Sequence, residues 1–276
     1  MPTIAQTLTD GRAMGIDRLD AQMILAWVFA RSRSWVIAHD DAVLDEAQAD
    51  AVRANFARRA TGEPLAYLLG EKEFHGLLLH VDPNVLVPRP DTEVLVDWAL
   101  ELLAGMSAPR VVDLGTGSGA IALAIKQACP AATVLATDIS LAALDVARGN
   151  AQRLALDVAF TQSAWWAGLQ GQRFDLVLSN PPYIAGADPH LAALRHEPAL
   201  ALTPGGDGLD ALREIVAGAA AHMAPGAWLL LEHGYDQADA VHDLLHTHGF
   251  DGLATRRDLG GQPRCTGGHR QGPCRA

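Results

Sequence analysis

Val111-Val112-Asp113-Leu114-Gly115-Thr116-Gly117-Ser118-Gly119-Ala120-Ile121 joins a strand-like apolar run to a helix-like one through three glycines. Glycine adopts positive φ without penalty and lets a ligand approach the backbone, so strand, glycine loop and helix in this order read as the binding edge of an open α/β sheet. Asp138 follows the next strand-like run, about 20 residues past the last glycine, where an acidic side chain can take both ribose hydroxyls. Together these residues imply an adenosine-containing cofactor. On the plainer alternative the glycines make only a tight turn and Asp138 caps a helix, although Ser140 already suits that cap.

Outward from this loop, strand-like and helix-like segments alternate: Val111–Leu114, Ile121–Ala128, Thr133–Thr137, Leu141–Leu154, Phe174–Ser179, Ala211–His222, Trp228–Glu232 and Ala238–His246. Such alternation predicts an α/β fold with a mostly parallel sheet covered by helices on both faces. Towards the N-terminus, Leu19, Met23, Ala26, Trp27 and Ala30 recur at helical spacing and a second helix is predicted near Glu46–Ala60. Phe74–Val81, a turn at Asp82-Pro83-Asn84 and Val85–Val87 fit a short hairpin. A helix should start near Asp91-Thr92, whose short side chains suit an N-cap, with Val94, Leu95, Trp98 and Leu102 inward. The expected organisation is a helical domain over 1–73, a hairpin linker over 74–90 and an α/β domain over 91–276. The stretch from Gly267 to Ala276 reads as irregular.

With 276 residues, 49% of them hydrophobic, the chain can build one large domain and a smaller one. No run approaches the ~18 apolar residues of a membrane span, and Met1-Pro2-Thr3-Ile4-Ala5-Gln6 lacks a basic leader, so a cytoplasmic location is the expectation. Cys129, Cys265 and Cys274 form no Cys-x-x-Cys pair and read as free thiols. A net charge of −11 disfavours wrapping a nucleic-acid backbone, although a local basic groove could hide within that sum.

The loop reads Gly-x-Gly-x-Gly with Asp113 at its head, neither the Gly-x-Gly-x-x-Gly of a dinucleotide site nor a phosphate-binding Gly-Lys-Ser/Thr. S-adenosylmethionine fits that pattern best, with Asp113 placed to orient the positive amino-acid end. Trp165 and Trp166 are candidates for stacking on adenine, or else core aromatics. Asn180-Pro181-Pro182-Tyr183 directly follows a strand. Neither proline has a backbone N–H, so the carbonyls around them, together with the Asn180 side-chain oxygen, can hold a planar NH2 group while Tyr183 offers a flat face. The same tetrapeptide could instead be a turn ending a strand. His242 and His246 lack the glutamate of a zinc protease motif and read as exposed helix residues. Cys265, His269 and Cys274 have no fourth ligand and no regular spacing, so no metal is expected. Glu71-Lys72-Glu73 reads as a solvated patch.

Taken together, the loop, Asp138 and Asn180–Tyr183 closely resemble the release-factor glutamine methyltransferases, the PrmC or HemK family. The resemblance extends over Gly62–Gly70, Phe74, Val87-Pro88-Arg89-Pro90-Asp91-Thr92-Glu93, Asp188–Leu191 and Leu229-Leu230-Leu231-Glu232-His233-Gly234. It implies a class I, Rossmann-like methyltransferase domain behind a helical substrate-recognition domain, with S-adenosylmethionine as cofactor. The implied substrate is the glutamine of the Gly-Gly-Gln loop of peptide chain release factors. Under it, Gly115, Thr116, Gly117, Ser118, Gly119, Asp138, Trp165 and Asn180 contact the cofactor. Asn180, Pro181, Pro182 and Tyr183 contact the substrate, with Asn180, Pro181 and Tyr183 catalytic. Ala164 departs from the acidic residue that many relatives carry before the aromatic, and the tail after Arg264 is unusually rich in Gly, Arg and Cys. Two rival readings are an adenine N6-methyltransferase, which would also grip a planar NH2 group, and a catalytically silent binding module.

Overall fold

The computed structural model describes residues 1–270. The chain divides into two compact units, Met1–Glu71 and Lys72–Ala276.

The first unit is helical: α1 (Ile4–Ala13), α2 (Arg18–Phe29), α3 (Arg33–Ala38), α4 (Glu46–Ala60) and α5 (Leu65–Leu69). Thr3 with Gln6, and Asp45 with Gln48, form reciprocal capping boxes that satisfy the first backbone N–H groups of α1 and α4. Ala49, Val52 and Phe56 recur at helical spacing along α4 and pack with Ile4, Ile24, Leu25 and Leu44. Leu19 and Trp27, which lie on the spacing that suggests α2, are exposed. Of the predicted stripe Ala26 is buried, and Ala21, Ile24 and Leu25 join it beside Gln22, whose amide oxygen accepts a hydrogen bond from Arg33. Two apolar stripes overlap in that run, and only packing separates them.

The hairpin lies earlier than the sequence suggests. Its strands are β1 (Glu71–Phe74) and β2 (Leu77–His80), joined at His75-Gly76, both with positive φ (48° and 78°) as a tight two-residue turn requires. Asp82-Pro83-Asn84 is not the hairpin turn, and Val85 and Val87 are buried outside any strand. A 3₁₀ turn at Pro90–Thr92 then leads into α6 (Glu93–Leu103), where Leu95, Val96, Trp98, Ala99 and Leu103 are buried while Val94 and Leu102 are only partly so. Thr92 makes no capping bond; its hydroxyl is used elsewhere.

There follow β3 (Arg110–Leu114), α7 (Ala120–Ala128), β4 (Thr133–Asp138), α8 (Leu141–Leu154), β5 (Ala159–Gln162), β6 (Phe174–Ser179), α9 (Ala199–Leu202), α10 (Asp210–His222), β7 (Met223–Glu232), α11 (Ala238–Thr247), β8 (Phe250–Arg257) and β9 (Pro263–Arg270). The seven strands order as β5-β4-β3-β6-β7-β9-β8, with β5 to β7 parallel and β9 antiparallel to both its neighbours. Because strand side chains alternate, Val111, Leu176 and Leu178 point into one core with α6 and α7. Val112, Leu114 and Val177 point into another with α10 and α11. The strand order reverses between β3 and β6, which opens a crevice at their carboxyl ends, the usual ligand edge of such sheets.

Three strands, β5, β8 and β9, escape the sequence pattern. The correction at β9 has a physical cause: Gly267-Gly268-His269-Arg270 is not irregular but sheet. A Cβ at Gly267 would come 2.4 Å from Leu230 Cδ2 and one at Gly268 would come 2.4 Å from Leu253 Cδ2, so these glycines mark tight packing rather than a turn. Cys274 lies outside the described residues.

Candidate active site

Thr137 at the end of β4 shapes the glycine loop, its carbonyl accepting the N–H groups of both Gly115 (2.9 Å) and Thr116 (2.8 Å). Asp138 then takes the Gly117 N–H on Oδ2 and the Ser140 N–H on Oδ1, both at 2.9 Å, with lone pairs to spare for a bound diol. Burial raises the Asp138 pKa, and those backbone donors oppose the rise. Ser140 provides the N-cap of α8, which leaves Asp138 for the crevice. Gly119 (φ 86°) starts α7 and lets it pack closely: a Cβ there would stand 3.0 Å from Leu123 Cδ1 and 3.2 Å from the Ala147 Cβ.

Asp113 is not among the residues that line the crevice. It is fully buried, Oδ2 accepts the Thr116 hydroxyl at 2.6 Å, and Oδ1 has no hydrogen-bond partner among the described residues. Burial pushes its carboxyl up to about 7, with the Thr116 hydroxyl opposing. Its work is to hold the loop from beneath. Ser118 is tethered in turn: its carbonyl accepts from Asn150 Nδ2 (2.8 Å), whose amide also bonds both backbone groups of His80 in β2.

Gly115, Thr116, Gly117, Ser118, Asp138, Trp165, Asn180 and Pro182 line one cavity of about 360 Å³, within the usual span of small-molecule sites. Gly119, Pro181 and Tyr183 are not among its lining residues. The two tryptophans separate cleanly. Trp166 is core, its indole N–H donating to the Ile215 carbonyl at 2.9 Å and its ring stacked on His222 at 4.8 Å. Trp165 lies on the cavity wall in a left-handed conformation (φ 47°), and its ring would meet a Cβ at Gly115 at 3.3 Å. Ser163 secures that backbone by donating to the Trp165 carbonyl (2.8 Å) while accepting the Gly168 N–H. Ala164 is on the wall beside it.

Ser179 ends β6 and donates to the Leu114 carbonyl at 2.7 Å, so Asn180 emerges level with the glycine loop. Asn180 Nδ2 donates to Thr92 Oγ1 at 3.2 Å, which leaves Oδ1 as the acceptor facing away from Thr92. The Tyr183 hydroxyl donates to Glu232 Oε1 at 3.2 Å, and its carbonyl accepts from Gln237 Nε2 at 3.0 Å. A Cβ at Gly208 would come 2.4 Å from that carbonyl, so only glycine lets the two loops meet. Glu232 is buried, and burial lifts its carboxyl to about 7 against the Thr92 hydroxyl and the positive charge of Arg264. Burial first, then the Glu232 charge, raises the Tyr183 phenol and keeps it protonated.

Sequence reasoning placed Thr92 as an N-cap candidate and, with Glu232, as part of a resemblance, and missed Asn150, Ser163 and Glu197. Glu197 is the buried anchor of Val87-Pro88-Arg89: Oε2 accepts the Val87 N–H at 3.0 Å and Oε1 pairs with the Arg89 guanidinium. No short-range signal could have found it. His242 and His246 are exposed on α11.

The site fits S-adenosylmethionine on its own chemistry. A carboxylate with free acceptor capacity, a glycine-backed wall with nothing within 4 Å of a Cβ at Gly117, and an indole face suit a ribose and an adenine. Comparison with known proteins agrees. The PrmC N-terminal domain family matches residues 4–70 and the Methyltransferase small domain family matches residues 92–209. The chain is 51% identical to the release factor glutamine methyltransferase of Bordetella pertussis over 92% of this chain and 96% of that one. Against the Pseudomonas aeruginosa protein of the same name it is 45% identical over 96% and 98%. Among solved structures, a T. thermophilus 16S rRNA methyltransferase in complex with AdoMet and guanosine superposes with a TM-score of 0.55 at 21% identity, covering 73% of this chain and 50% of that one. That likeness concerns the fold alone. Identity of this extent, over both units and with the loop and Asn180–Tyr183 built as described, places the chain in the release factor glutamine methyltransferase family.

Proposed function

We propose that the protein transfers the methyl group of S-adenosylmethionine to the side-chain amide nitrogen, N5, of the glutamine in the Gly-Gly-Gln motif of peptide chain release factors. The observation that carries this is the direction of Asn180: with Nδ2 held by Thr92, Oδ1 is the end free to accept at the cavity wall that also carries Gly115 and Asp138.

An amide nitrogen is a poor nucleophile because its lone pair is delocalised into the carbonyl. Asn180 Oδ1 and the Pro181 carbonyl accept the two amide hydrogens, fixing the nitrogen and turning their dipoles toward the positive charge that grows on it. Tyr183, its hydroxyl anchored on Glu232, packs against the amide plane. Asp138 holds the ribose hydroxyls, Trp165 the adenine, and the glycine loop admits the rest of the cofactor. Bound S-adenosylmethionine supplies a methyl group on positively charged sulfur, an electrophile matched to a neutral nitrogen. The proton on the methylated nitrogen leaves to solvent afterwards. The helical unit recognises the release factor, since one glutamine side chain offers little surface for selection.

The test is incubation with purified release factor and methyl-labelled cofactor, followed by mass mapping. Label on the Gly-Gly-Gln glutamine side chain supports the proposal. Label on another residue, or in added DNA or RNA, overturns it.

A further inference from the structure

The site described so far gives the adenosine half of S-adenosylmethionine its partners and leaves the amino-acid half with none. That half ends in a carboxylate, which binds best to charged N–H donors. The glycine loop has few donors to spare. The N–H groups of Gly115 and Thr116 are taken by the Thr137 carbonyl, that of Gly117 by Asp138 and that of Gly119 by the Thr116 carbonyl. The Thr116 hydroxyl is taken by Asp113. The charged side chains on the cavity wall are those of Asp138, Asp210, Glu214 and Arg89, so Arg89 is the one cation there among the described residues.

Its surroundings hold Arg89 ready for an anion. The Arg89 side chain is 36% exposed, whereas the Glu197 carboxyl paired with it is 2% exposed. Both Glu197 oxygens are committed, Oε2 to the Val87 N–H at 3.0 Å and Oε1 to Arg89 Nη2. Glu197 thus fixes both ends of Val87-Pro88-Arg89 and takes one corner of a guanidinium that carries five N–H groups. Nε and Nη1 have no partner among the described residues. The backbone places Arg89 beside the reacting centre: its carbonyl accepts the Thr92 N–H at 3.1 Å, and Thr92 Oγ1 accepts from Asn180 Nδ2 at 3.2 Å. A sulfonium has three arms. With the ribose arm on Asp138 and the methyl at Asn180, the third arm, the amino-acid chain, starts beside Asn180, and the segment bonded to Asn180 is the one that carries Arg89. We propose that Arg89 binds the carboxylate of the cofactor's amino-acid end, with Glu197 as the positioning residue that aims it. This rests on the proposed placement of the ribose and the methyl group, and adds to it the partner of the remaining arm. The buried Glu197 carboxylate also balances the guanidinium charge, so that the pair does not set a net positive charge against the sulfonium.

The experiment titrates the full chain by calorimetry with S-adenosylmethionine and with decarboxylated S-adenosylmethionine, which lacks only the carboxylate. Wild type should bind the decarboxylated ligand about 10- to 100-fold more weakly, the scale of a hydrogen bond to a charged group. Arg89→Ala should lose a similar factor for S-adenosylmethionine and no more than about threefold for the decarboxylated ligand, so that it no longer distinguishes the two. Because Arg89→Ala strands a buried carboxylate, Arg89→Gln/Glu197→Gln is measured beside it; this variant removes both charges and should show the same loss of discrimination. The ratio between the two ligands decides, so a general weakening of the fold does not imitate the result. Variants that still prefer S-adenosylmethionine by the wild-type factor overturn the inference, as does a wild type that binds both ligands equally. A raised KM for release factor with cofactor affinity unchanged overturns it too, and assigns Arg89 to the protein substrate. Asp138→Asn separates this inference from the reading beneath it, since it should weaken both ligands alike. If it does so while Arg89→Ala keeps its discrimination, the ribose placement stands and only the role of Arg89 fails; if it weakens neither, the placement falls and the inference with it.

Discussion

Asn180 is where backbone geometry and chemistry coincide, because the Ser179 hydroxyl fixes the strand end and Thr92 fixes the amide. Asn180→Ala removes the acceptor but no cofactor anchor of the Asp138 kind. Methylation should fall by about 100-fold or more, the scale of losing one preorganised polar group at a reacting centre, while cofactor affinity measured by titration changes little. Comparable losses in both would argue that Asn180 mainly holds the cofactor. What was legible at this scale was whatever a local backbone requirement imposes: glycines at positive φ, an acid after a strand, prolines with no donor. Thr92, Asn150 and Glu197 were not legible, because their partners stand 88, 70 and 110 residues away and no neighbouring residue hints at them. Trp165 and Trp166 were ambiguous for a related reason: adjacent residues in a loop face different surroundings, and only the Ile215 carbonyl and the His222 ring decide which is core.

Among the elements, the end of β3 stores an electrostatic cost. Burial lifts the Asp113 carboxyl from 3.8 to about 7, so the folded state binds its proton more tightly than the unfolded state does. Stability from this group is therefore whole below about pH 4 and is lost as the pH climbs through 7. At pH 8 the loss is on the order of 4 kcal/mol as an upper figure, since each tenfold gain in proton affinity on folding is worth about 1.4 kcal/mol. Asp113→Asn should thus raise the melting temperature by several degrees at pH 8 and hardly at all at pH 4; equal gains at both would contradict the assignment. In α1, Gly11 faces Phe56, and a Cβ there would lie 2.8 Å from the ring. Gly11→Ala should destabilise the helical unit, since overpacking costs about 1–3 kcal/mol against a helix gain of ~1 kcal/mol. Differential scanning calorimetry would show the change confined to one transition. Strands with clear apolar runs, such as Phe174–Ser179, were legible to the residue. Strands β8 and β9 were not, because Arg256, Arg257, Gly267 and Gly268 break the pattern and are explained only by neighbours across the sheet.

For the whole molecule, the division at Glu71/Lys72 predicts a separable activity. A chain beginning at Lys72 keeps every residue of the cavity and should bind S-adenosylmethionine at near-normal affinity, yet methylate release factor at least about tenfold less efficiently at limiting substrate. Full efficiency without the helices would remove their role in recognition. The α/β order of the larger unit was legible because its alternation is periodic, and the helical character of the smaller one because its stripes are. No helix among the described residues is long and apolar enough to cross a membrane. The place of β9 carries one more consequence. It is the last described strand to be synthesised, yet it lies inside the sheet between β7 and β8, and it brings Arg264 and Cys265 against Glu232. Until Pro263–Arg270 has left the ribosome, β8 has no partner, one side of β7 is bare, and the acid behind the acceptor loop lacks its counter-charge. Without Pro263–Arg270 the sheet therefore presents two open edges, the setting in which strands pair with other chains.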